Sequence, residues 1–274
     1  MCVTRPRSLF LATVSMALSL SGVASFAQVQ PDPPSVREYC IKITPGKGAE
    51  FEAFLKDVSL PLARARAEAG EFDWFVVASS VAPAGTSAPC DYRVAYGYKG
   101  LPPETPSKDA LTAALKRAKP TMTFDAMVAR RDALRHLVGV EFWTGIDGIG
   151  PPVEKDNYIV FNHYNVKYGE MAEWLRLETT YWKPVMDAWL KAGGKGAWSV
   201  TSLLMPTGAA TPYNAMTIDV FPDWNSMVRG VPVNDVWPKV HPNATFPAFF
   251  DRLEKVRSVH DREVYKVVDV VRAK

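Results

Sequence analysis

Six side chains in this 274-residue chain have a type and placement suited to holding a small molecule: Arg93, Glu141, Tyr158, Asn162, His163 and His241. Arg93 and Glu141 are polar residues in the middle of mainly apolar runs, residues 91–98 and 137–146. A charge in such a run must be paired, reach water or meet a ligand. There an arginine can hold a carboxylate or carbonyl, and a glutamate can act as a base. Structural ion pairs and strand-end placement are the competing explanation. If Arg93 does serve a ligand, Arg93→Ala weakens binding without unfolding the protein. His163 lies between Asn162 and Tyr164 and is the histidine to test first; His241 follows Trp237 in an irregular stretch where an aromatic lid would sit. His136 and His260 fall at matching helix-to-strand junctions and read as structural. No two of the four histidines have the short spacing of a metal motif, so no metal site is predicted.

The elements that would position these residues come as one pattern written twice. Residues 39–43 and 47–55 form a short apolar strand followed by a helix, and residues 159–163 and 167–175 repeat this in the same register. Each half continues as βαββαβ, with helices over 50–68, 107–118 and 123–135 in the first half and 169–192 and 246–259 in the second. Pro61 and Pro184 sit inside the first helix of their halves, where a missing N–H and a ring clash should kink or break it. The glycine- and proline-rich residues 145–152 read as a linker, dividing the chain into repeats 36–150 and 151–274.

This order predicts an α+β protein in which each half is a ferredoxin-like antiparallel sheet with its helices on one face. The other face also needs cover, because Phe72, Trp74 and Val76 alternate with the equally apolar Phe75 and Val77. Pairing the two sheets within the chain gives an eight-stranded α/β barrel. Tyr39, Ile41 and Ile43 then face the helices, which turns Glu38, Cys40 and Lys42 inward. The repeat register likewise turns Tyr158 and Asn162 inward, with Asp219 and Lys266 behind them. Trp174, Tyr181, Trp182 and Trp189 on one helix either pack on the sheet or line a cavity.

Arg5 and Arg7, an apolar run over residues 9–20 and the small residues before Gln28 have the form of a secretory signal peptide, cleaved after Ala27. Residues 28–35 make an extended lead-in. With Arg5 and Arg7 removed, the 32 basic residues fall to 30 against 29 acidic ones, leaving no field to draw nucleic acid or, once the signal is cleaved, a membrane. Cys40 and Cys90 remain; they either pair in an oxidising compartment or stay as buried thiols.

The repeated βαββαβ unit, the proline-interrupted first helix and the Pro45-Gly46-Lys47 turn resemble the dimeric α/β-barrel superfamily, and within it the NIPSNAP-like and EthD-like groups. The resemblance covers nearly all of the chain beyond the signal peptide. It implies a ligand site inside the barrel, in a superfamily that includes cofactor-independent monooxygenases, haem-binding and haem-degrading enzymes and small-ring isomerases. The expectation is an exported small-molecule-binding protein or enzyme that holds a largely apolar organic ligand, with cofactor-free oxygen chemistry or isomerisation as its chemistry. A non-catalytic scaffold, with its barrel filled by side chains, is one alternative. Haem is the other, and would need His163 or His241 as axial ligand; no cofactor is otherwise expected. Closure within one chain predicts a monomeric pseudo-dimer rather than a homodimer.

Overall fold

The structure is a computed structural model that describes residues 33–208 and 211–274, so the expected signal peptide and most of the 28–35 lead-in lie outside the described residues. β1 (Ser35–Ile43) leads through a turn at Gly46 into a helical rod made of α1 (Gly48–Phe54), a π turn (Leu55–Ser59) and α2 (Leu60–Glu68). β2 (Trp74–Ala82), β3 (Tyr92–Tyr98), α3 (Lys108–Ala118), α4 (Phe124–Leu134) and β4 (Arg135–Ile149) complete the first half. In the second half β5 (Tyr158–Val166) leads to a rod of α5 (Met171–Arg176), a π turn (Leu177–Trp182) and α6 (Lys183–Lys191). β6 (Ala197–Met205), β7 (Ala215–Phe221), α7 (Trp224–Arg229), α8 (Val233–Val240), α9 (Phe246–Val256) and β8 (Arg257–Arg272) follow. Helix entries are fixed locally: the side chains of Ser107, Thr123 and Thr245 accept the N–H groups of Ala110, Ala126 and Ala248.

Pro61 and Pro184 do not break their helices. Each is the second residue after a π turn. The wider turn moves the carbonyl that would clash with the ring and needs no N–H from proline, so the rod continues.

The eight strands are all antiparallel and close in the order β1-β3-β2-β8-β5-β7-β6-β4. Within each half the last, first, third and second strands lie side by side. β2 pairing with β8 and β4 pairing with β6 complete the ring. The expected linker is a correction: Gly145–Ile149 belongs to β4 and pairs with β6 from Thr201 back to Trp198. Its glycines serve a strand that shifts register between Gly145 and Asp147 and runs close to its neighbour, since a Cβ on Gly148 would come 3.1 Å from the Trp198 carbonyl oxygen.

Corresponding elements of the two halves are offset in a register different from the one their sequences suggest. The helical rods begin at Gly48 and Met171 and carry Pro61 and Pro184, both pairs 123 residues apart, whereas Lys47 and Lys167 had suggested 120. Strand pairing agrees, because Tyr39 opposes Val94 as Asn162 opposes Thr217. A shift of three is odd, and in a strand an odd shift exchanges the two faces.

Four apolar clusters result: one under the helices of the second half, two under those of the first (one around Phe72 and Phe75, one joining Phe51, Phe54, Leu115 and Met127), and one inside the barrel built from Val76, Phe161, Met216 and Tyr265 with their neighbours. Cys40 and Cys90 form a disulfide with their Cα atoms 5.2 Å apart, tying β1 to the segment that precedes β3. No helix among the described residues is long and apolar enough to cross a membrane. The disulfide spans a sequence separation of 50 residues. Loop-closure entropy over such a span amounts to about 4 kcal/mol. Replacing both cysteines by alanine should therefore lower the unfolding free energy by about 2–4 kcal/mol in urea titration, and an unchanged midpoint would show the link to be absent.

Candidate functional site

The barrel interior is partly empty. A cavity of about 820 Å³ enters from the end where β1 begins, between Ser35, Lys99 and Arg272, and runs inward past Val76, Ile159, Phe161, Met216 and Ile218. Trp74 lies flat across Gly97 at this end, a contact that leaves no room for a Cβ: one built there would be 1.9 Å from the indole. The walls are therefore mainly apolar. Glu38 and Arg93 reach the cavity from β1 and β3, with Glu38 opposite Ala95, two residues along β3 from Arg93.

Arg93 is 5% exposed and is held by two carboxylates. Its guanidinium donates to Glu38, and its Nε and Nη2 fork onto Glu263 at 3.0–3.1 Å. The same plane lies over the rings of Phe161 and Tyr265, and the Tyr265 hydroxyl donates to Glu263. Burial pushes the Glu38 carboxyl up; Arg93 pulls it back and Glu141 raises it again, and the net direction is upward. Burial acts to lower the Arg93 guanidinium, but Glu38 and Glu263 outweigh it and hold it well above its ordinary range. Glu141 faces Glu38 across the β1–β4 pair and accepts from the Tyr213 hydroxyl and, at 3.2 Å, from the Trp143 indole.

His163 closes the far end. It is fully buried, stacked on Tyr213 with ring centroids 4.3 Å apart, and its Nδ1 lies 2.5 Å from Asp261 Oδ1. Burial pushes Asp261 up, yet the His163 bond and the charges around it bring the carboxyl below its ordinary range. Nε2 of His163 is buried without a partner. One ligand atom each from His163, Asp261 and Glu263 lie within 4.8 Å of one another, a cluster that sequence spacing could not show because it spans two strands. Glu263 is engaged by Arg93 and His163 Nδ1 by Asp261, which leaves Nε2 of His163 as the free atom of the cluster.

Of the six expected residues, the structure brings Arg93, Glu141 and His163 together inside the barrel. Tyr158 and Asn162 face the helices instead: Tyr158 packs edge-on to Trp224, and Asn162 donates to Asp219 at 2.8 Å. Asp219 bonds Lys195 on that outer side, and Lys266 pairs with Asp156. The odd shift between the halves accounts for the inversion. His241 is not over the cavity; its Nε2 bonds the Tyr181 carbonyl at 2.8 Å and its ring packs on Trp237. His163 lies in the barrel interior beyond the residues that line the cavity, and His241 lies outside the barrel. Glu263, Tyr265 and Tyr213 were missed. The first two share a face of β8, and their spacing of two in a strand was the available signal.

Neither a scan against protein-family models nor a search of curated proteins finds a match. Solved structures do match. A "Putative monooxygenase" from Fusobacterium nucleatum subsp. nucleatum superposes with a TM-score of 0.53 at 9% identity, over 89% of this chain and 96% of that one. An "anthrone oxidase-like protein" superposes with a TM-score of 0.51 at 14% identity, over 89% and 94%. At these identities the likeness is one of fold. The chain is an α+β protein with a closed eight-stranded antiparallel barrel, and it shares that fold with these two structures.

The expectation for Arg93→Ala also changes. Removing a guanidinium from between two buried carboxylates leaves both uncompensated, at a cost of about 3–5 kcal/mol. Urea denaturation should show a loss of that size for Arg93→Ala; a loss below about 1 kcal/mol would mean that the network is hydrated and unimportant to stability.

Proposed function

We propose that this protein binds a largely apolar organic molecule of two or three rings inside the barrel, with a carbonyl or hydroxyl group of the ligand against Glu38 and Arg93. The observation that carries this reading is the 820 Å³ cavity, apolar along its walls, with those two side chains reaching into it. Its size lies within the range of small-molecule sites. It also weighs against the scaffold alternative, which expects a barrel filled by side chains.

The same pair suits acid–base chemistry. A carboxyl raised by burial can accept a proton from a carbon or hydroxyl next to the ligand's carbonyl, while Arg93 holds the oxyanion that forms. Isomerisation returns that proton elsewhere on the ligand; cofactor-free oxygenation adds dioxygen to the resulting carbanion. Both begin with the step that Glu38 and Arg93 can perform.

The disulfide supports export to an oxidising compartment after cleavage behind Ala27. The same strand order and matched π turns in both halves support two ferredoxin-like repeats that arose by duplication. Closure of the ring by β2–β8 and β4–β6 supports a monomer. The NIPSNAP-like and EthD-like kinship rests on the proline and turn pattern alone.

The test is binding of a panel of two- and three-ring aromatic ketones and phenols, read by quenching of the tryptophans that line the cavity. At least one compound should bind, and Ala95→Trp, which fills the cavity beside Glu38, should weaken it at least tenfold. Glu38→Gln should keep binding and lose any turnover. Equal affinity in Ala95→Trp would move the ligand out of the barrel.

A further inference from the structure

A second, separate cavity of about 320 Å³ lies on the outer face of β5 and β7, beneath the helices of the second half. We propose that it is a binding site for a small organic acid with an aromatic body, whose carboxylate is held by Arg257.

The comparison between the two halves makes the case. In the first half the corresponding places hold Tyr39, Leu55, Phe72, Val94 and Tyr96, an ordinary core in which Phe72 packs on Tyr96 with ring centroids 5.0 Å apart. At the same strand and helix positions the second half carries Asn162, Glu178, Lys195, Thr217 and Asp219. Where the first half has five apolar or aromatic side chains the second has polar ones, and the two tyrosines, Tyr39 and Tyr96, are matched by an asparagine and an aspartate. A polar floor and an empty volume follow from the same exchanges.

One polar group on this floor lacks a partner: Nε of Arg257 is buried without a hydrogen bond, whereas the Glu178 carboxylate has the Trp174 indole N–H beside it. The side chains of Arg257 and Glu178 are 9% and 2% exposed, and their closest approach is 3.8 Å, too long for a hydrogen bond. Buried polar atoms in a native fold ordinarily have partners, so this group points to a ligand. Arg257 stacks at 3.9 Å on the Tyr164 ring, an arrangement that leaves its in-plane N–H donors available.

The charge balance selects an anion. Asp219 is occupied by Lys195 and Asn162. Burial pushes the Glu178 carboxyl up, Arg257 draws it back and Asp219 raises it, to about 7, so it compensates Arg257 only in part. Arg262 adds a second positive charge at the rim. A protonated Glu178 can donate to the same carboxylate that Arg257 holds. Above this floor Trp182 lies parallel to Phe249, at 8° and 6.0 Å, giving a ring an aromatic wall.

The probe is 1-naphthoate, titrated calorimetrically into the full chain. Wild type and the barrel-filling Ala95→Trp should bind it equally. Arg257→Gln should weaken it at least tenfold, as the loss of a hydrogen bond to a charged group implies. Because Arg257→Gln also disturbs a buried site, Val233→Trp on α8 fills the cavity from its half-buried outer side and should abolish binding with the floor intact. Binding unaffected by Val233→Trp, tighter binding of 1-naphthylmethylamine than of 1-naphthoate, or no naphthoate binding at all would each overturn the proposal. Retention in Ala95→Trp separates this site from the one inside the barrel.

Discussion

The contact on which the rest depends is the fork between Arg93 and Glu263. Arg93 belongs to the first half and Glu263 to the second, so a single bidentate pair joins the halves inside the barrel. Its energetic meaning is asymmetric. Burying three charges gains little over a well-packed apolar core, but once the groups are there none can be removed alone. Glu38, Tyr265 and the two rings under the guanidinium are arranged around that requirement. The cavity stops at the polar set because side chains that must satisfy one another cannot withdraw to make room.

Strand closure works with this pair. The last strand of each half is long, 15 residues in β4 and 16 in β8, so that each can pair with its own sheet along one stretch and with the other sheet along the next. Bulges let each strand bend from one partner to the other. A barrel closed in this way has few bare strand edges, which a sheet of this apolar character would otherwise expose.

Much of the architecture was legible because it follows from period and punctuation. Alternation in residues 36–43 placed Glu38 and Cys40 inward, and Ser107 and Thr123 marked helix entries that the structure confirms. The misreadings have equally physical origins. Both faces of β5 are apolar enough that Ile159 and Phe161 on one side could not be told from Val160 and Tyr164 on the other, so its orientation rested on the repeat register. Lys47 and Lys167 gave that register an offset of 120, and an error of three residues reversed the face. Pro61 and Pro184 were expected to break helices because a π turn has no sequence signature; its effect appears only as an extra residue per turn. Glu263 and Asp261 meet His163 across strands, where linear spacing carries no information.

The division of labour between β4 and β8 also bears on how such a chain can change over generations. Residues 145–149 of β4 make their strand pairs with β6 alone, and β2 has β8 of the opposite half as one of its two neighbours. A gene cut between the halves would yield two products, each with a long ragged strand, a bare edge and an uncovered apolar sheet face. Each would need a second sheet to cover that face, and the two halves of this chain are not interchangeable in that role: the first has Arg93 where the second has Met216, and the second has polar side chains where the first has an outer aromatic core.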